Sequence, residues 1–199
     1  MSDLQGKLLL ASPAMDDPNF GRAVVLMVEH GEQGALGLVL NKPTDVSVCD
    51  VLPDALAQLL DEPAGDDQAL RHGGPCRGPL MVLHRCDEAS QVEVFPGMHF
   101  ATHDELVEMV LRQQAEANSA SGGRSSGRSV LYFAGYAGWG PGQLEDEIRR
   151  DAWSVVSGNA EAVFGVDGTL WTRLVRDAAQ TALKRTMNPK IVPPDASLN

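Results

Sequence analysis

"LYFAGYAGWGPGQLEDEI", residues 131–148, decides how the rest of the chain is read. An apolar run ends in glycines at 135, 138, 140 and 142, with Trp139 among them, and passes into an acidic segment. Glycines between a strand and a helix can present backbone N–H groups to a phosphate. They can equally form a tight turn in which a large side chain lies close to the backbone. The neighbouring residues favour the turn. Neither G-x-x-x-x-G-K-[ST] nor G-x-G-x-x-G is present. Glu145, Asp146 and Glu147 fall in the first turns of the following helix, where they complement its positive end and would repel a phosphate. The stretch reads as a strand over 130–138, a turn with Gly138 and Gly140 flanking Trp139, and a helix over 142–156. Pro141 favours the helix start.

Outward from this junction, apolar β-branched runs bounded by turn residues predict strands at 7–12, 22–30, 35–43 and 80–85, and a strand or extended turn at 92–100. "GEQG" (31–34) joins the second and third as a hairpin, and Pro43 closes the third. Residues 44–63 begin extended and end helical, with Leu56, Leu59 and Leu60 at helix spacing before Pro63. "THDELVEMVLRQQAEA" (102–117) is an amphipathic helix, with Thr102 and Glu105 spaced as a capping box. A further helix covers 169–185. "NSASGGRSSGRS" (118–129) reads as a flexible loop and 188–199 as a loose tail. One domain over 1–187 is expected, because the strand after the loop needs partners from the first half.

The 199 residues carry 16 Lys and Arg against 27 Asp and Glu, a net charge of −11. That balance argues against a nucleic-acid partner. No apolar run approaches the roughly 20 residues of a membrane helix, and the N-terminus lacks the pattern of a secretory signal. Three cysteines without a C-x-x-C pair suit a reducing compartment. A cytoplasmic protein is expected.

Four segments resemble the AlgH/YqgE family of bacterial proteins: "LLLASPAMDDPNFGRAVVLMVEH" (8–30), "GALGLVLNKP" (34–43), "GGP" (73–75) and "GYAGWGPGQLEDEIRRDAW" (135–153). The resemblance implies a mixed α/β (α+β) fold. Its sheet would be bifurcated and mainly antiparallel, with a small barrel-like portion, and surrounded by helices. The family is labelled as one of transcriptional regulators, its function is largely unassigned, and no catalytic residues or cofactor come with it. The chain differs in "CRGPLMVLHRC" (76–86) and in its Gly/Ser-rich loop.

The remaining chemistry is sparse. His72, Cys76, His84 and Cys86 mix zinc-ligand types, but their spacing matches no common zinc pattern. No G-x-S-x-G elbow is present, and nothing places two carboxylates in one cleft. The basic residues Arg173, Arg176, Lys184 and Arg185 read as a solvated helix face. The expectation is a non-enzymatic, regulatory protein without a cofactor. It would bind an unidentified protein or small molecule at a surface formed by Asn41, Lys42, His72, Gly73, Gly74, Tyr136 and Trp139. The alternatives are an enzyme with its site near "GGP" and "GYAGWG", and a regulator that contacts DNA directly.

Overall fold

The computed structural model describes residues 3–60, 68–120 and 129–187. Its first half runs through β1 (Lys7–Ala11), β2 (Val24–Gly31), β3 (Gly34–Val39), β4 (Pro43–Ser47), α1 (Asp54–Ala57), β5 (Ala69–His72) and β6 (Cys76–His84). It continues through β7 (Val92–Phe95), β8 (Met98–Ala101), α2 (Asp104–Ala120), β9 (Val130–Trp139), α3 (Gln143–Arg149), β10 (Trp153–Ser157), α4 (Ala160–Phe164) and α5 (Leu170–Met187).

The strands form one open sheet in the order β10-β1-β2-β3-β9-β6-β8-β7. Strand β9 is its axis. One edge pairs with β6 from Val130 to Tyr136. The other is shared: β5 lies parallel to Tyr132–Ala134, and β3 lies antiparallel to Ala137–Trp139. The sheet forks there, and β4 extends the branch carried by β5. The bifurcated, mainly antiparallel α+β architecture is therefore present. The barrel-like part is curled but not closed.

The curl buries both faces of most strands. Leu8, Leu10, Val24, Leu26, Leu38, Met81, Leu83, Phe100, Leu131 and Phe133 meet in the interior. Their alternates Leu9, Val25, Met27 and Val39 pack outward on Leu144 of α3 and on Trp139 and Trp153. The alternates Val82, Ala101, Val130 and Tyr132 pack outward on Val107, Val110 and Leu111 of α2. Two buried faces explain why these segments read as continuous apolar runs rather than as alternation.

Strand β9 changes phase midway. Leu131 and Phe133 face the interior, but so does the half-buried Tyr136, while Ala137 and Trp139 face outward. The inversion falls at Gly135, whose φ of +79° is strained for any residue with a Cβ. A Cβ there would lie 2.6 Å from the Cys76 carbonyl oxygen and 2.8 Å from that of Gly74.

Several elements differ from the sequence expectation. The helix expected over 142–156 stops at Arg149. Asp151 then adopts φ +57°, and Trp153–Ser157 pairs with Lys7–Ala11 as β10. The β-branched Val155 and Val156 serve the ladder better than a helix. Strand β3 ends at Val39, and Pro43 opens β4 instead of closing β3. Residues 44–60 hold β4, a 3-10 turn at Val48–Asp50 capped by Ser47, and only one helical turn, α1. Strand β5 and helix α4 were not anticipated. Thr102 does not cap α2, because the helix starts at Asp104 and Thr102 lies two residues before it, its hydroxyl donating to the Leu80 carbonyl and its N–H to Gln91. Helix α2 reaches Ala120, so the first residues of the expected loop are helical. The rest of that loop, 121–128, and the expected tail at 188–199 lie outside the described residues. Among the described residues no helix is long and apolar enough to cross a membrane.

Candidate functional site

The glycine-rich junction and the acidic segment build a site together. Strand β9 ends at Trp139, and Gly142, at φ +74°, is the N-cap of α3. No side chain caps this helix. Gln143 instead accepts the Gly140 N–H at 3.1 Å. The three following acids then take separate partners. Glu147 accepts both indole N–H groups, from Trp139 at 3.0 Å and Trp153 at 2.8 Å. Asp146 pairs with Arg149. Glu145 reaches across to β2 and accepts from His30 Nε2 at 3.0 Å.

His30 lies near the end of β2, opposite Ala35, which is itself opposite Trp139. Its side chain is 7% exposed. The Leu4 N–H donates to Nδ1 at 3.4 Å, which assigns the proton of the neutral ring to Nε2, facing Glu145. Asp3 Oδ1 stands 3.9 Å from Nδ1. The Glu145 carboxyl is held below the usual carboxylate range, chiefly by its own backbone N–H. Partial burial opposes this, and His30 and Arg149 add to it. Asp3, His30, Gly31, Glu32, Gly142 and Glu145 surround a cavity of about 600 Å³.

The residues singled out in the sequence divide between two places. Asn41, Lys42, His72, Gly73, Gly74 and Tyr136 come together at the fork of the sheet. The His72 N–H donates to the Lys42 carbonyl at 2.9 Å, and the Gly73 N–H to that of Ala134 at 3.0 Å. Much of this is structural. The Asn41 amide takes the Val24 N–H and donates to the Arg22 carbonyl. Lys42 donates to the Pro18 carbonyl. A Cβ on Gly73 would lie 2.2 Å from the Gly135 oxygen, and one on Gly74 2.3 Å from the Tyr136 carbonyl carbon. The glycines of "GGP" and "GYAGWG" thus meet, and what each approaches closely is the other's backbone. His72 is exposed and Tyr136 half-buried. Trp139 stands apart at the far end of β9, stacked on Phe20 and edge-on to Trp153.

The histidine and cysteine quartet does not converge. Cys76 and His84 are the two ends of β6. Among the described residues no group of three or more His, Cys, Asp or Glu is arranged to hold a metal. His30 and Glu145 were missed by sequence reading. They are 115 positions apart, and only the pairing of β2 with β3 and of β3 with β9 brings them together.

A model of the AlgH-like family matches residues 8–182. The chain belongs to the AlgH-like family. A UPF0301 protein of Streptomyces avermitilis is 38% identical over 190 residues, which covers 88% of this chain and 87% of that one. A second, from Chlorobaculum tepidum, is 36% identical over 175 residues, covering 86% and 84%. The solution structure of the AlgH protein from Pseudomonas aeruginosa superposes with a TM-score of 0.63 at 29% identity, covering 94% of this AlgH-like chain and 95% of that one. The crystal structure of protein DIP2367 from Corynebacterium diphtheriae gives the same TM-score at 25% identity, covering 89% and 88%.

Proposed function

We propose that this AlgH-like protein is a non-catalytic, cytoplasmic regulatory protein that works by binding, with the cavity between β2 and α3 as its principal site. The observation that carries the reading is the hydrogen bonding of His30. One ring nitrogen is held by the Leu4 N–H and the other by Glu145. A general base needs a nitrogen free to take a substrate proton, and His30 has none to spare. Asp3, Glu32 and Glu145 around the same cavity favour a cationic group. The ligand would be a small amine or a basic side chain of a partner protein, consistent with a chain charge of −11.

The test is a titration of the labelled full chain with spermidine and with arginine amide, followed by amide chemical shifts. Saturable shifts at Gly31, Glu32 and Gly142, weakened in Glu32→Gln, support the reading. Turnover across a hydrolase and transferase panel that disappears in His30→Ala overturns the non-catalytic part. A fluorescence-anisotropy titration with duplex DNA at low salt checks the DNA-contact alternative, because low salt favours even non-specific binding.

A further inference from the structure

A second cavity lies on the opposite flank of the molecule and does not depend on the site between β2 and α3. It occupies about 400 Å³ where β6 ends against α2. His84, Cys86 and Glu88 line one side, Val110, Gln113, Gln114 and Ala117 of α2 another, and Ser129 and Val130 a third. Volumes of roughly 300–1,000 Å³ with mixed apolar and polar walls are those of small-molecule sites.

His84 is the unusual member. It alternates with Leu83, which faces the interior, and so lies on the α2 side of the sheet with Val82. It lines the cavity and yet is wholly buried. Its Nδ1 accepts the Cys86 N–H at 3.3 Å, which places the ring proton on Nε2. That Nε2–H has no hydrogen-bond partner among the described residues. Buried polar groups are nearly always paired, so an orphaned donor on a residue that lines an open volume points to an acceptor from outside the chain, one that reaches the buried Nε2 by a small shift of the cavity wall.

The surroundings define the acceptor. Burial and the His99 ring, stacked at 5.9 Å, hold the His84 pKa down at about 4, so the ring is neutral at physiological pH. It can donate one hydrogen bond but offers no positive charge to an anion. His99 is engaged by Ser90 at 2.9 Å. Arg85 lies over the Phe164 ring, 4.6 Å from its centroid, and the nearby Asp87 and Glu88 would repel a phosphate or a polycarboxylate. Gln114 already accepts from the Tyr132 hydroxyl, and Glu88 from the Cys86 thiol. The apolar contribution comes from Val110, Ala117 and Val130.

We propose that this cavity binds a small uncharged molecule through a carbonyl oxygen that accepts the His84 Nε2–H. Cyclic amides and nucleobases have the size and the acceptor. The binding step is non-covalent and needs no cofactor.

The experiment uses the full chain with nicotinamide, uracil and 2-pyrrolidone as probes. Histidine side-chain ¹⁵N resonances and backbone amides are followed through each titration. The expected result is a saturable shift of His84 Nε2 with the amides of Val110 and Val130, for at least one probe. His84→Phe should weaken that probe at least tenfold. Because His84→Phe alters a buried position, Ala117→Trp is the second variant. Ala117 is exposed on α2 and lines the cavity, so an indole there takes up cavity volume while His84 is left unchanged in sequence. It too should weaken binding at least tenfold. Resonances unmoved by every probe up to its solubility limit would overturn the proposal, as would a persistent water cross-peak at the His84 Nε2 proton throughout the titrations.

Discussion

The two ends of β9 each lie near a histidine whose ring is largely out of water, and the pair differ in their hydrogen bonding. At the C-terminal end His30 has both ring nitrogens engaged, by Leu4 and Glu145. At the N-terminal end His84 lies opposite Val130, with one nitrogen engaged and the other orphaned. The His30 side chain is 7% exposed and His84 is wholly buried, so both rings are largely out of water, and that alone does not separate a histidine with every nitrogen paired from one with an orphan. What separates them is whether the fold supplies a partner for each polar atom. A cavity lies beside each, but α3 supplies a carboxylate to His30, whereas His84 Nε2 receives no partner among the described residues.

Gly135 holds the two ends in opposite phase, so its replacement should break the comparison altogether. Gly135→Val puts a β-branched residue at φ +79° and drives Cβ into two carbonyl oxygens. A loss of about 4 kcal/mol is expected in urea denaturation, with both cavities lost together.

The next effect belongs to the His84 end alone. Its folded pKa of about 4 lies below the ordinary histidine value of 6.5. Between those values the unfolded chain binds the proton and the folded chain does not. Stability therefore falls as the pH drops through that window, by about 3 kcal/mol in total, and His84 contributes no further loss below it. The denaturation midpoint against pH should show this slope in the parent and lose it in His84→Phe.

At the His30 end, Glu147→Ala leaves the Trp139 and Trp153 indoles without their common acceptor. A cost of about 2 kcal/mol is expected, with a changed tryptophan emission spectrum. Glu147→Gln keeps an acceptor oxygen and should cost less. The smallest effect is the sharpest test of the comparison. At pH 7, His84→Phe removes an unpaired donor and should be neutral or stabilising by up to about 1 kcal/mol. His30→Phe breaks two hydrogen bonds and should destabilise by about 1 kcal/mol. Thermal denaturation of the two variants, measured side by side, would show the opposite signs.

The strands around "AVVLMVEHGEQGALGLVL" (23–40) were readable in the sequence because a β-branched run with a short glycine turn has few other solutions. The glycine junction was readable as a turn for an electrostatic reason, the carboxylates that follow it. The first turns of α3 were right and its end was wrong. Helix spacing continues through Ala152 and Val155, and only pairing with β1 makes Trp153–Ser157 a strand. Tertiary contact overrides local pattern there. Candidate residues were less legible. Asn41, Lys42 and the paired glycines make hydrogen bonds and close backbone contacts at the fork, and the acidic run read as complementing the helix's positive end also holds a histidine, an arginine and two indoles.

Periodicity and turn chemistry were enough to place most elements in order, because these depend on neighbours along the chain, and the class of fold came from the resemblance of four segments to the AlgH/YqgE family. Which strand edge forks, which way β9 faces after Gly135, and which histidine keeps an unpaired nitrogen depend on groups tens to more than a hundred residues apart. Those were decided only when the sheet curled and brought their hydrogen-bonding atoms within reach.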